Sequence, residues 1–139
     1  GGFLSYTLSH SERILGKNHF LSGTNRTHVL NAALGVDIAR GFRAGARFVF
    51  YTGFPEIVRG SERSSPRVDT GNDLPPFFRL DARLEKRWTL GNTRWLSLVL
   101  EMQNATLSKE TLGVRCEATC EPVEIGPVAI PSIGLEGGL

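Results

Sequence analysis

Between Phe77 and Ala105 the chain switches between apolar and charged side chains at almost every step, and that alternation restricts it to a β architecture. Side chains of an extended strand point to opposite faces in turn. Phe78, Leu80, Ala82 and Leu84 therefore form one apolar row, while Arg79, Asp81, Arg83, Glu85 and Arg87 form a charged one. After Gly91-Asn92 the rule repeats, with Leu96, Leu98, Leu100 and Met102 set against Ser97, Glu101 and Gln103. The two runs predict an antiparallel hairpin with the Gly-Asn pair at its turn. Charge selects the register: Arg83 opposite Glu101 joins unlike signs and puts Asp81 beside Gln103, whereas a two-residue slip sets Asp81 against Glu101. Each run has about the 9 to 11 residues that a strand needs to cross a bilayer.

The same period recurs along the chain and predicts strands over about 3–13, 28–39, 42–53, 77–88, 95–105 and 131–139. In the first, Leu4, Tyr6 and Leu8 oppose Ser5, Thr7 and Ser9. The second places Leu30, Ala32, Leu34, Val36 and Ile38 on one face, and the third places Phe42, Ala44, Ala46, Phe48 and Phe50 against Arg43, Gly45, Arg47 and Tyr51. A short Ala39-Arg40-Gly41 connection with Gly41 in the left-handed region sets Asp37 opposite Arg43. The segments 14–27, 54–76 and 106–130 are polar, rich in Gly, Ser or Pro, and aperiodic; they read as loops. Connections thus alternate long and short, which collects every long loop at one end of the sheet. Outer-membrane barrels carry short periplasmic turns and long extracellular loops in this manner.

Composition narrows the partners. The mean hydropathy of −0.11 and the lack of any apolar run near eighteen residues exclude a helical membrane protein, but a barrel hides in such averages because only alternate residues meet lipid. Gly1-Gly2-Phe3 lacks the basic and apolar regions of a signal peptide, so the reading expects either a removed export signal or the C-terminal piece of a longer chain. A net charge of +2 over 139 residues is too small and dispersed for a nucleic-acid surface. Cys116 and Cys120, with no second pair to complete a zinc site, suggest a local disulfide formed in an oxidising compartment.

Several stretches resemble the C-terminal end of the barrel of TonB-dependent outer-membrane receptors. They are Gly2-Phe3-Leu4-Ser5-Tyr6-Thr7-Leu8-Ser9, His28-Val29-Leu30-Asn31, Gly41-Phe42-Arg43-Ala44-Gly45-Ala46-Arg47, Tyr51-Thr52-Gly53-Phe54-Pro55, the run Pro76 to Trp88, Gln103-Asn104-Ala105 and Pro131-Ser132-Ile133-Gly134-Leu135. Their order and spacing, not any single one, carry the resemblance. It implies an all-β fold: an antiparallel transmembrane β-barrel of the 22-strand type, of which this chain supplies about six C-terminal strands. It further implies a plug inside the barrel, energy delivered through TonB, a place in the bacterial outer membrane, and uptake of a scarce nutrient such as a metal chelate, vitamin or oligosaccharide. The plug and the TonB-contacting segment are not in this sequence, and Leu139 stands where barrels of that family usually end in an aromatic residue. Six strands cannot close a barrel alone, so the expected partners are outer-membrane lipid and the remaining strands and plug, from the same chain or another. The alternatives are a passive pore or surface-adhesion barrel made by oligomerisation or with a partner chain, and a soluble β-sandwich binding module.

No nucleophile elbow, zinc-protease helix or phosphate loop is present, which points away from an enzyme and from any cofactor. His10, His19 and His28 are scattered and predict no metal site. The residues expected to face a lumen are Arg43, Arg47, Tyr51, Arg79, Asp81, Arg83, Glu85, Glu101 and Gln103. They read either as a surface that holds a plug or passes a polar ligand, or as a self-neutralising ladder that keeps the wall hydrated; alternating signs cancel a long-range field and favour the ladder. Arg59, Arg63 and Arg67 offer charge-assisted hydrogen bonds to an anionic substrate, though acidic neighbours reduce that loop's charge. Trp88, on the apolar row, is the expected interface-girdle residue, whereas Trp95 falls on the charged row.

Overall fold

The structure, a computed structural model, describes residues 1–58, 68–91, 93–116 and 119–139. Six strands form one antiparallel sheet: β1 (Gly2–Leu8), β4 (His28–Asp37), β5 (Phe42–Tyr51), β8 (Phe77–Leu90), β9 (Arg94–Gln103) and β12 (Ile130–Gly138), in that spatial order. Each strand pairs with the next, and none of the five pairings contains a bulge. The sheet is open, with β1 and β12 at its edges.

Register places every even-numbered residue of β1, β4, β5, β8 and β9 on one face, together with Pro131, Ile133 and Leu135 of β12. This face is apolar throughout its middle, and among the described residues nothing covers it: Leu4 and Ile133 are 73% exposed, Leu34 60% and Leu100 44%. Besides Pro55, the buried apolar side chains among the described residues are Leu74, in the link before β8, and Val99, on the opposite face. The sheet is therefore a single layer without a core of its own.

Arg83 pairs with Glu101 and Asp37 with Arg43, the two registers that charge selects. A 3-10 turn, Ala39–Gly41, joins β4 to β5 with Arg40 at φ 64° and Gly41 at φ 76°. A side chain at Gly41 would collide with the Arg87 carbonyl oxygen. The longest strand is β8, of 14 residues.

Two sets of expectations need correction. The first strand ends at Leu8, not at 13, and the segments 14–27, 54–76 and 106–130 are not plain loops. Each long connection carries a two-stranded hairpin: β2 (Glu12–Leu15) with β3 (Asn18–Leu21), β6 (Pro55–Val58) with β7 (Val68–Asp73), and β10 (Glu110–Cys116) with β11 (Cys120–Ile125). These runs are four to seven residues long, the four-residue ones too short to display a period, and each hairpin pairs within itself. Because they interrupt alternate connections, all three stand at the same end of the sheet. Strand ends also shift slightly, β8 reaching Leu90 and β9 ending at Gln103. Arg59, Arg63 and Arg67 lie outside the described residues.

Cys116 and Cys120 form a disulfide at the tip of the β10–β11 hairpin. Its base is fastened by Asn104, which is 5% exposed and has a positive φ of 53°. The Asn104 side-chain amide donates to the Ser108 and Val128 carbonyls at 3.0 and 3.1 Å and accepts from the Ser108 amide at 3.0 Å. One side chain thus ties the outgoing and returning chain together, satisfying backbone groups that would otherwise be orphaned.

Candidate functional site

The second face carries the charged residues. On β8 the row Arg79, Asp81, Arg83, Glu85 and Arg87 faces β5 on one side, where Arg47 stands opposite Asp81 and Arg43 opposite Glu85. It faces β9 on the other, where Glu101 stands opposite Arg83 and Ser97 opposite Arg87. Arg43, Arg47, Tyr51, Arg79, Asp81, Arg83, Glu85, Glu101 and Gln103 thus all share one face. They do not form a single contact group. Arg43 pairs with Asp37 at 3.1 Å near the short turn, Arg79 holds Asp81 at 3.0 Å, and Gln103 is exposed at the end of β9, opposite Ile130. The Asp81 carboxylate accepts the Asn104 backbone N–H at 2.9 Å, which joins the row to the base of the β10–β11 connection.

Arg83 is the centre of the tightest group. Its guanidinium donates to Glu101 at 2.6 Å and to Glu136 at 2.9 Å, and lies 3.7 Å from Glu85. Glu136 belongs to β12, two strands away from β8. The Arg83 side chain accordingly passes over Val99 on the intervening strand, and Val99 is only 4% exposed although it sits on the charged face. Beside it, Glu85 accepts from the Ser97 hydroxyl at 2.8 Å and from Arg87 at 3.0 Å. Ser97 is fully buried and Glu85 is 4% exposed. The Arg87 guanidinium in turn lies 4.2 Å from the centre of the Trp95 ring. Opposite Trp95, Gly138 leaves room for the indole, since a β-carbon there would overlap it.

A second group caps the face at the long-connection end. Arg26 pairs with Glu110 at 2.9 Å and packs its guanidinium on Tyr51 and Phe54, at 3.7 and 4.1 Å from the ring centres. Tyr51 also stacks on Phe77, with centroids 5.0 Å apart. Arg26 follows the first hairpin, Phe54 precedes the second and Glu110 begins the third, so one cation links all three connections.

Chemically, the face neutralises itself. The three carboxylates around Arg83 and Arg87 are shared between those two guanidiniums. Free space includes a pocket of about 320 Å³ whose lining takes in Arg47, Arg79, Asp81, Arg83, Glu101 and Gln103, and a shallow one of about 290 Å³ lined by Gly35, Arg43, Ala44, Gly45, Arg83 and Glu85. The shallow one exists because Gly35 and Gly45 are cross-strand partners and leave the wall thin there.

Val99, Glu136, Arg26 and Glu110 are the participants that sequence reasoning missed, and Ser97, though read on this row, is not among the expected site residues. Parity alone places Ser97 on this face, and the apolar row Pro131, Ile133, Leu135 places Glu136 there by exclusion. Arg26 and Glu110 carry no such signal, because they lie in or beside the short hairpins. Comparison of the chain with protein-family models, with curated proteins and with solved structures gives no match.

Proposed function

We propose that this chain is a wall segment of an outer-membrane β-barrel receptor that takes up a scarce nutrient by TonB-dependent transport. The observation that carries the reading is the bare apolar face of a coreless single-layer sheet. Soluble monomers rarely expose an apolar patch beyond a few hundred Å², whereas lipid is a solvent in which such a face is stable. Dimensions agree: β9 has 10 residues, and at about 3.4 Å per residue with a tilt of about 40° it rises about 25 Å, the height of a barrel's apolar band. The margins of the face agree too. Trp88 lies on it near the short turn, and Tyr6, hydrogen-bonded to His28 at 2.7 Å, lies on it near the long connections; such amphipathic rings anchor a wall at both interfaces.

On this reading the charged face looks into the lumen. Its paired ladder keeps the wall wet and in register, and the shallow pocket over Gly35 and Gly45 gives a plug a place to approach. The edges of β1 and β12 pair with further strands, since an unpaired edge in lipid leaves backbone groups unsatisfied at several kcal/mol each. The partners are outer-membrane lipid, those strands, the plug and TonB; the cargo is a metal chelate, vitamin or oligosaccharide bound at the long-connection end.

The test uses single-tryptophan variants of the chain assembled in bilayers with tryptophan-free strands that pair with β1 and β12. Trp88, alone in Trp95→Phe, is quenched by bromine in the lipid chains, and Trp95, alone in Trp88→Phe, is quenched by aqueous iodide. Equal behaviour of the two refutes the wall. In a bacterial host, uptake that stops when the proton gradient is collapsed identifies the energised receptor; uptake that continues identifies a passive pore instead.

A further inference from the structure

The apolar face is not free of charge, and its charges are placed unevenly. Among the described residues of the six strands, register puts two formally charged side chains on it, Lys86 and Arg94. Both are cations and both stand beside a short turn. Lys86 lies opposite Phe42, next to the 3-10 turn, and Arg94 lies opposite Leu90, next to Gly91. The carboxylates of β4, β8, β9 and β12 all belong to the other face.

The Lys86 side chain also has a direction. Its ammonium donates to the Arg40 carbonyl oxygen, at the tip of the turn beyond Phe42, and lies 4.3 Å from the centre of the Phe42 ring and 5.9 Å from that of Trp88. The stem thus runs along the apolar face while the charge is carried to the rim, the behaviour of a lysine at a membrane margin. An ammonium has three donors, and the Arg40 carbonyl engages one.

We infer that this rim, built from Lys86 and Arg94 with Trp88 between the two turns, is a docking surface for the phosphate headgroups of anionic phospholipids in the leaflet that faces the short turns. The inference rests on the wall reading above. Charge complementarity argues for this occupant: two cations stand at the rim of a face whose register brings it no carboxylate, and a zwitterionic headgroup brings a cation of its own. Trp88 places a fluorophore at the site itself.

The experiment takes the Trp95→Phe chain, with Trp88 as its sole tryptophan, assembled with the same tryptophan-free strands in bilayers containing brominated phosphatidylglycerol or brominated phosphatidylcholine, and reads the relative affinity of the two lipids at Trp88 from the quenching. Phosphatidylglycerol is expected to be preferred by about fivefold, the effect of one basic side chain near an anionic surface. Lys86→Gln abolishes the preference, Lys86→Arg keeps it, Arg94→Gln lowers it, and Glu101→Gln on the other face leaves it unchanged. Equal quenching by the two lipids, or a preference indifferent to Lys86→Gln, overturns the headgroup site while the wall stands. Suppression of the preference by inorganic phosphate in the buffer also overturns it, because the site would then belong to a free anion. Quenching by neither lipid removes the wall reading itself.

Discussion

Replacing Glu85 by alanine is expected to destabilise the sheet far more than any other cut in the charged ladder. The carboxylate is 4% exposed and accepts from Ser97 at 2.8 Å and from Arg87 at 3.0 Å. Without it the Ser97 hydroxyl, which is fully buried, has no acceptor for its proton, and a buried unsatisfied group costs about 1–3 kcal/mol. Arg87 loses a charge-assisted bond as well, but its side chain is 46% exposed, so water recovers much of that and about 1 kcal/mol remains. The sum is about 2–4 kcal/mol. Asp37→Ala is the control, since Asp37 is 80% exposed in its pair with Arg43 and such a bridge is worth about 0–1 kcal/mol. Glu85→Gln keeps an oxygen for Ser97 and falls between the two. The assay is equilibrium urea unfolding of the membrane-assembled protein, followed by the β ellipticity and by Trp95 emission. At a slope of about 1–3 kcal/mol per M, a loss of about 3 kcal/mol moves the midpoint by about 1–3 M. A Glu85→Ala midpoint equal to that of Asp37→Ala would show that burial does not set the strength of this ladder.

Two further outcomes follow from the geometry. A double-mutant cycle of Arg83→Met with Glu136→Ala is expected to show about 0.5–1.5 kcal/mol of coupling although the residues lie two strands apart; additivity within error would mean that Arg83 does not reach across Val99. Arg26→Ala removes a part-buried ion pair and two aromatic contacts, together about 1.4 kcal/mol, so amide exchange in β6 and β10 should speed up about tenfold while the six-stranded sheet keeps its protection. Exchange accelerated equally in β8 would show that Arg26 supports the sheet and not the connections.

The parts of this architecture that were legible in the sequence are those governed by neighbours at fixed spacing. Like-charge avoidance set Arg83 against Glu101, the short Ala39-Arg40-Gly41 turn set Asp37 against Arg43, and alternation assigned each strand its two faces. It also placed Trp95 on the charged row, where Arg87 lies over its ring. The hairpins of the long connections were not legible, although Leu15-Gly16-Lys17-Asn18 carries a turn signal, with Gly16 at a φ of 65°. Strands of four residues give too few alternations for a period.

What the sequence determined by itself is therefore the six strands, their faces and their local registers, since each depends on side chains two residues apart or across one short turn. What only the tertiary structure decided is which distant strands meet. Arg83 finds Glu136 because β12 returns beside β9, and Arg26 finds Tyr51, Phe54 and Glu110 because three connections gather at one end. Those contacts join residues up to 84 positions apart; no periodicity encodes them, and they exist only once backbone hydrogen bonding has laid the strands in order.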